Sequence, residues 1–313
     1  MKLKRYCFCT ILIIIVTAIN SFAGGLTMRD ELNKISEAEM WKYMACDGYS
    51  IDLYSIPFTK SEKRLFEVED RQFMRIGNRE LSPDGKKIAF TLETYGNSAY
   101  QDLMGLDLYT VDTGTSKLVK LPTVSFKNIF LITFLGNDKL LFENHEEQNY
   151  LTKPGTSVIY TIDLNTNEIE KFDNQEINLN FSTVSSDGDL LVYSERGGFV
   201  VYNVTTKNSR KINIDGDRPV LSPDGQWIIF RRGGMTGDYY IIRIDGSNET
   251  LVLSEEKIRR LLQSSGSYRD LQFASWSPDS KFILLLESSD LQKNGAFVLN
   301  IETKEIIDIT GKQ

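Results

Sequence analysis

A chain of 313 residues with a formal charge of −7 is a poor partner for nucleic acid or an anionic membrane surface, both of which recruit basic patches. Its one histidine, His145, and its three cysteines exclude zinc held by several histidines or by clustered thiolates, and force any Ser-His-Asp triad through that single imidazole. The length suits one large β domain with its own core.

The chain opens Met1-Lys2-Leu3-Lys4-Arg5, runs apolar from Tyr6 to Ile19 and continues Asn20-Ser21-Phe22-Ala23-Gly24. A cationic start, an apolar run shorter than the ~20 residues of a spanning helix and small residues at Ser21 and Ala23 read as a secretory signal over residues 1–23. Cleavage removes Lys2, Lys4 and Arg5 and no acid, so the charge falls by three to −10. Cys7 and Cys9 leave with it. Cys46, now alone, has no intrachain partner and reads as a small buried apolar residue. The expected compartment is periplasmic or extracellular, with no membrane insertion after cleavage.

Residues 24–39 read as a short N-terminal helical segment. Thr27 caps it, Asp30 three residues on completes a capping box, and Leu32 with Ile35 marks one apolar face. The period then changes. Met40 to Cys46, Asp47-Gly48 and Tyr49 to Ile56 have the form of a β-hairpin, because Asp-Gly suits a type I′ turn; a helix continuing through Met44 is the competing reading.

From here one pattern dominates. Leu221-Ser222-Pro223-Asp224-Gly225 followed by Gln226-Trp227-Ile228-Ile229-Phe230 is a strand end, a tight turn and a buried strand, since proline presets φ, aspartate bonds nearby backbone and glycine takes positive φ. Copies stand at Leu81-Ser82-Pro83-Asp84-Gly85, Val184-Ser185-Ser186-Asp187-Gly188 and Trp276-Ser277-Pro278-Asp279-Ser280, with a worn one at Leu135-Gly136-Asn137-Asp138. A second strand-turn-strand unit follows each copy, as Leu106 to Asp112 leads into Lys117 to Leu121. Four short strands in a row, repeated at spacings between 37 and 55 residues, describe an all-β chain folded as a β-propeller of four-stranded blades.

The Ser-Pro-Asp-Gly turn with its apolar strand, and the strand ending Ile244-Asp245-Gly246-Ser247-Asn248, resemble the TolB-type, WD40-like propeller repeat over about residues 70–313. The resemblance implies the fold. It leaves the activity open, because the superfamily spans partner-binding periplasmic proteins, lyases and the propeller halves of peptidases. TolB itself carries an α/β domain ahead of its propeller, and the stretch from Gly24 to Asp70 is too small to hold one.

Five modules are complete. Asp52 to Ile56 and Lys63 to Val68 match Asp107 to Val111 and Leu118 to Leu121, so the N-terminus supplies the outer two strands of a sixth, with Met40 to Cys46 as a third. The reading is six blades, the first one imperfect, over residues 40–313; five blades with an added hairpin is the alternative. A ring with an open gap would expose core side chains and unpaired backbone.

Function on this fold belongs to loops. With the Ser-Pro-Asp-Gly turns on one face, the opposite face carries the variable loops Glu93 to Gly105, Glu143 to Gly155, Glu195 to Gly198, Arg231 to Asp238, Ser254 to Asp270 and Ser288 to Gly295. Within them Arg231, Arg232, Arg269 and Asp270 are the candidate ligand-binding residues, placing three cations near the channel mouth for an anionic group. The stretch Glu143-Asn144-His145-Glu146-Glu147 lacks a nucleophile elbow and a calcium-loop pattern, and reads as a solvated acidic loop. Ser254 to Leu262 reads as a short capped surface helix. The sequence therefore names no catalytic residue, metal or cofactor. It supports an exported, non-enzymatic propeller that binds a protein or small ligand on its loop face; the alternative is a carbohydrate-active or lyase-type propeller enzyme using carboxylates and arginine, with or without calcium.

Overall fold

In the computed structural model, which describes residues 27–37, 41–56, 63–99, 103–123, 126, 129–145, 157–173, 182–234, 237–262, 271–287 and 295–309, each Ser-Pro-Asp-Gly turn closes on itself through side chains. Ser222 is buried; its hydroxyl donates to the Asp224 carboxylate at 2.5 Å and accepts the Trp227 N–H at 2.9 Å, while the Gln226 N–H donates to Asp224 at 3.0 Å. The same three bonds recur around Ser82, Ser185 and Ser277. Gly225 sits at φ 68°, and a Cβ there would lie 3.2 Å from Leu190. Gly225→Val should therefore lower stability by about 1–3 kcal/mol through strain at positive φ, read as a lower melting temperature; an unchanged midpoint would show that the turn tolerates a side chain.

These turns also hold neighbouring blades together. Asn137 accepts the Asp84 N–H at 3.0 Å, the Ser186 hydroxyl donates to the Pro223 carbonyl at 2.7 Å, and the Ser280 hydroxyl accepts the Asp224 N–H at 3.1 Å.

The described strands form six antiparallel sheets arranged as the blades of a propeller. The first blade has three: β1 (Lys42–Cys46), β2 (Ser50–Ser55) and β3 (Lys63–Glu67). The other five have four each: β4 (Met74–Leu81) to β7 (Leu118–Lys120), β8 (Ile129–Leu135) to β11 (Ile169–Lys171), β12 (Thr183–Val184) to β15 (Ser209–Asn213), β16 (Asp217–Leu221) to β19 (Thr250–Leu253), and β20 (Leu271–Trp276) to β23 (Ile306–Asp308). The hairpin reading of residues 40–56 holds: β1 pairs with β2 from Lys42↔Ser55 to Cys46↔Ile51.

Only two helices lie among the described residues. Helix α1 (Met28–Glu37) starts at the capping box read from the sequence: the Thr27 N–H and hydroxyl donate to the Asp30 carboxylate at 3.0 and 2.7 Å, and the Asp30 N–H donates back to Thr27 at 3.2 Å. Helix α2 (Glu255–Leu262) buries Ile258 and Leu262 against the fifth and sixth blades. Neither is long and apolar enough to cross a membrane. The signal read over residues 1–23 lies outside the described residues.

The core is a set of seams between blades. The second and third strands of three blades pair aromatic rings across the sheet, Phe90 with Tyr109, Phe142 with Tyr160 and Phe230 with Tyr240, stacked at 5.6 to 5.7 Å. Tyr43 pairs with Tyr54 in the first blade. That register identifies β1 as a second strand, so the strand absent from the first blade among the described residues is the innermost one.

Helix α1 occupies the chain positions where that inner strand would have been. Met28 and Leu32 pack with Trp41 and Ile56 of the first blade against Phe282, Leu284, Leu286 and Val298 of the sixth. Apolar burial of this kind stabilises by roughly 25 cal/mol per Å², and it closes the ring from the side rather than through the channel.

Candidate functional site

Four of the five complete blades carry a register shift between their inner and second strands, at Ile76/Arg79, Ile129/Leu131, Asp217/Val220 and Phe273/Ser275. Such bulges bend a strand and re-aim the side chains beyond them. Beyond these bulges the strand ends Leu81, Leu221 and Trp276 converge with Val184 on the channel at its turn-side mouth. There they line a cavity of about 290 Å³ together with Trp41, Tyr43 and Met44 of β1 and the turn residues Pro83, Pro223 and Pro278. Its wall combines apolar and aromatic side chains with the polar groups of Ser82, Thr183, Ser186 and Ser275, the mixture of a ligand site.

Besides Tyr43, two ionisable side chains line this cavity, Lys42 and Glu80. The stem of Lys42 lies over the turn of the next blade, where its Cδ would be 3.3 Å from a Cβ on Gly85. Glu80 is different. It pairs with Ala89 in the ladder, and its carboxyl has no hydrogen-bonding or ion-pair partner among the described residues. Burial pushes its pKa from the ordinary 4.5 up to about 7, with Arg79 only partly opposing the shift. A carboxyl that keeps its proton near neutrality, in a cavity, has the signature of a functional group.

The sequence pointed instead to the loop face. Arg231 and Arg232 do end β17 (Trp227–Arg232) there, but each is already engaged by the fold. Arg231 is 3% exposed, lies 4.7 Å over the ring of Tyr239 and reaches the Gly237 carbonyl at 3.4 Å. Arg232 donates to the Asp215 carbonyl at 2.7 Å, pairs with Glu249 at 2.8 Å and stacks 4.5 Å over Tyr240. Arg269 and Asp270 lie outside the described residues, as do Glu146 and Glu147; His145 closes β9 (Lys139–His145). Parts of five of the six loops of that face also lie outside.

Chemistry elsewhere is sparse. Cys46 is half-buried, burial pushes its thiol pKa up, and its sulfur accepts the Gly48 N–H at 3.3 Å. A thiol held protonated is a poor nucleophile. Among the described residues no three His, Cys, Asp or Glu side chains come together as a metal site requires.

Sequence reasoning missed Glu80. Its signal was available in principle, since an acid directly before Leu81-Ser82-Pro83 occupies a place held by Phe134, Thr183, Val220 and Ser275 in the other copies.

No family model matches the sequence, and no curated protein matches it. Solved structures do share the fold. TolB from Acinetobacter baumannii superposes with a TM-score of 0.57 at 16% identity, over 85% of this chain and 62% of that one. A putative TolB from Agrobacterium tumefaciens gives 0.52 at 15% identity over 85% and 88%. An oligogalacturonate lyase from Vibrio parahaemolyticus gives 0.52 at 12% identity over 84% and 76%. The chain is thus similar to less than two thirds of the length of the Acinetobacter protein. At these identities the likeness establishes a TolB-like β-propeller fold.

Proposed function

We propose that this chain is an exported, non-enzymatic propeller that binds a protein or small ligand, and that the ligand enters the channel at the turn-side mouth. The observation that carries the reading is the cavity itself, an apolar and aromatic bowl containing one carboxyl, Glu80, that no described neighbour satisfies. Export, to the periplasm or beyond the cell, rests on the leader-like residues 1–23 and agrees with the likeness to TolB.

The experiment is a thermal-shift screen of peptides, sugars and divalent cations, run in parallel on wild type and on Thr183→Trp, which sets an indole at the half-buried cavity rim. A ligand should raise the wild-type melting temperature by RT ln(1 + [L]/Kd) in free-energy terms and leave the variant unmoved. A ligand that stabilises both equally would take the site out of the cavity.

A second reading is favoured by the same carboxyl, which at neutral pH holds a proton it could donate, and by the likeness to an oligogalacturonate lyase. A lyase would leave a carbon-carbon double bond in its product, so incubation with oligogalacturonate with and without calcium, followed by ultraviolet absorbance, separates the two. We expect no new absorbance.

A further inference from the structure

Resting on the reading that the turn-side cavity is the binding site, we propose that its ligand is an extended polypeptide segment of another protein, which docks beside β1 as the missing inner strand of the first blade and offers a lysine or arginine to Glu80.

The argument starts from hydrogen-bond directions. The Ile56 N–H donates to the Trp41 carbonyl at 2.9 Å, so Trp41↔Ile56 is a hydrogen-bonded pair and the alternate pairs, Lys42↔Ser55, Met44↔Leu53 and Cys46↔Ile51, are not. In an antiparallel ladder the N–H and C=O of such residues point away from their partner strand. Those of Lys42, Met44 and Cys46 therefore point toward the channel, where no described strand pairs with them.

Burial agrees with the vacancy. β1 is half-buried along its whole length, whereas its counterparts in the fourth, fifth and sixth blades, β13 (Leu190–Glu195), β17 and β21 (Phe282–Glu287), carry runs of three, four and six buried residues. The difference is the cover that an inner strand provides. Among the described residues ahead of β1 none supplies this cover, since Met28 and Leu32 of α1 pack into the seam with the sixth blade.

An exposed edge of this kind is a template for strand addition, in which backbone bonds give affinity and pockets for alternate side chains give selectivity. Here the aromatic and proline lining suits apolar side chains at alternate positions. The Glu80 carboxyl on the adjoining blade, which lines the cavity, selects a cationic one, since a basic group would pair with it there.

The test uses dodecapeptides selected from a random phage-displayed library on the full-length protein, resynthesised with a fluorophore and titrated against three variants that first pass a melting check. Met44→Pro removes one outward N–H and crowds the edge while sparing the bonds to β2, a change that edge strands tolerate. It should weaken binding at least tenfold. Glu80→Gln should weaken severalfold those peptides that carry lysine or arginine and leave uncharged ones unchanged. Thr183→Trp should abolish binding of both.

If Thr183→Trp abolishes binding while Met44→Pro leaves it intact, the cavity is the site but strand addition is wrong. Failure of the selection to yield a binder, or binding indifferent to all three changes, overturns the proposal and the reading beneath it. A wild-type dimer that Met44→Pro renders monomeric by light scattering would replace the foreign segment with a second copy, and overturn the proposal as stated.

Discussion

Replacing Trp41 with alanine should cost about 3–5 kcal/mol, the range for emptying a buried large aromatic site. The side chain is 2% exposed and belongs to the cluster that joins α1 and the first blade to the sixth. Its indole N–H also donates to the Ser275 hydroxyl at 3.0 Å, a contact between residues 234 apart in sequence. One residue thus joins seam packing to a hydrogen bond across the closure. Chemical denaturation gives the number, and Trp41→Phe serves as the control, since it keeps most of the packing and loses only the N–H. A loss below about 1 kcal/mol for the alanine variant would show that the ring is closed by something other than this seam.

Glu80→Gln should stabilise the protein at pH 8 and leave it nearly unchanged at pH 4. With a folded pKa of about 7 against an ordinary 4.5, the folded state binds more protons than the unfolded state between those values. Stability accordingly falls as pH rises through that window, by at most about 3 kcal/mol once pH exceeds 7, because each pKa unit corresponds to about 1.4 kcal/mol and the half-buried side chain is partly screened by water. Glutamine is neutral throughout and escapes the loss. Melting curves at the two pH values decide the matter. An equal difference between variant and wild type at both would mean that the carboxyl carries its charge without cost in the fold. Arg79 softens the penalty, and Lys42 is the other charged group on the same cavity.

Most of the ring was legible in the sequence because its turns need particular residues. Only serine with aspartate two places on builds the three-bond closure, and only glycine, or at one copy Ser280 at φ 61°, accepts the backbone that follows. The three-stranded first blade was legible for a related reason: Tyr54 stands where Tyr109 stands, and strands that share a partner share a pattern. The capping box Thr27-Asp30 announced α1 in the same way.

The cavity was not legible, and the reason is geometric. Arg231 and Arg232 read as loop cations, but β17 runs on through both, and strand alternation sends Arg231 into the seam beside Tyr239 and Arg232 over Tyr240. Glu80, in contrast, reads as an ordinary charge next to Arg79. It lies just past a bulge between Ile76 and Arg79 and lines a cavity shared by several blades, neither of which a local window of sequence contains. The position of the cavity likewise depends on which strand the first blade lacks, a fact about register rather than composition.

The contact between Trp41 and Ser275 also sets an order in time. During synthesis or export α1 and β1 emerge well before the surfaces they bury against, Phe282, Leu284 and Val298, about 240 residues further along the chain. The middle blades can assemble on neighbours already present. The first blade has its apolar flank uncovered until the sixth blade has been released, and the entropy of closing so long a loop falls on that step. A blade made early is thus finished late, and a chain cut short before the sixth blade would leave the first one uncovered.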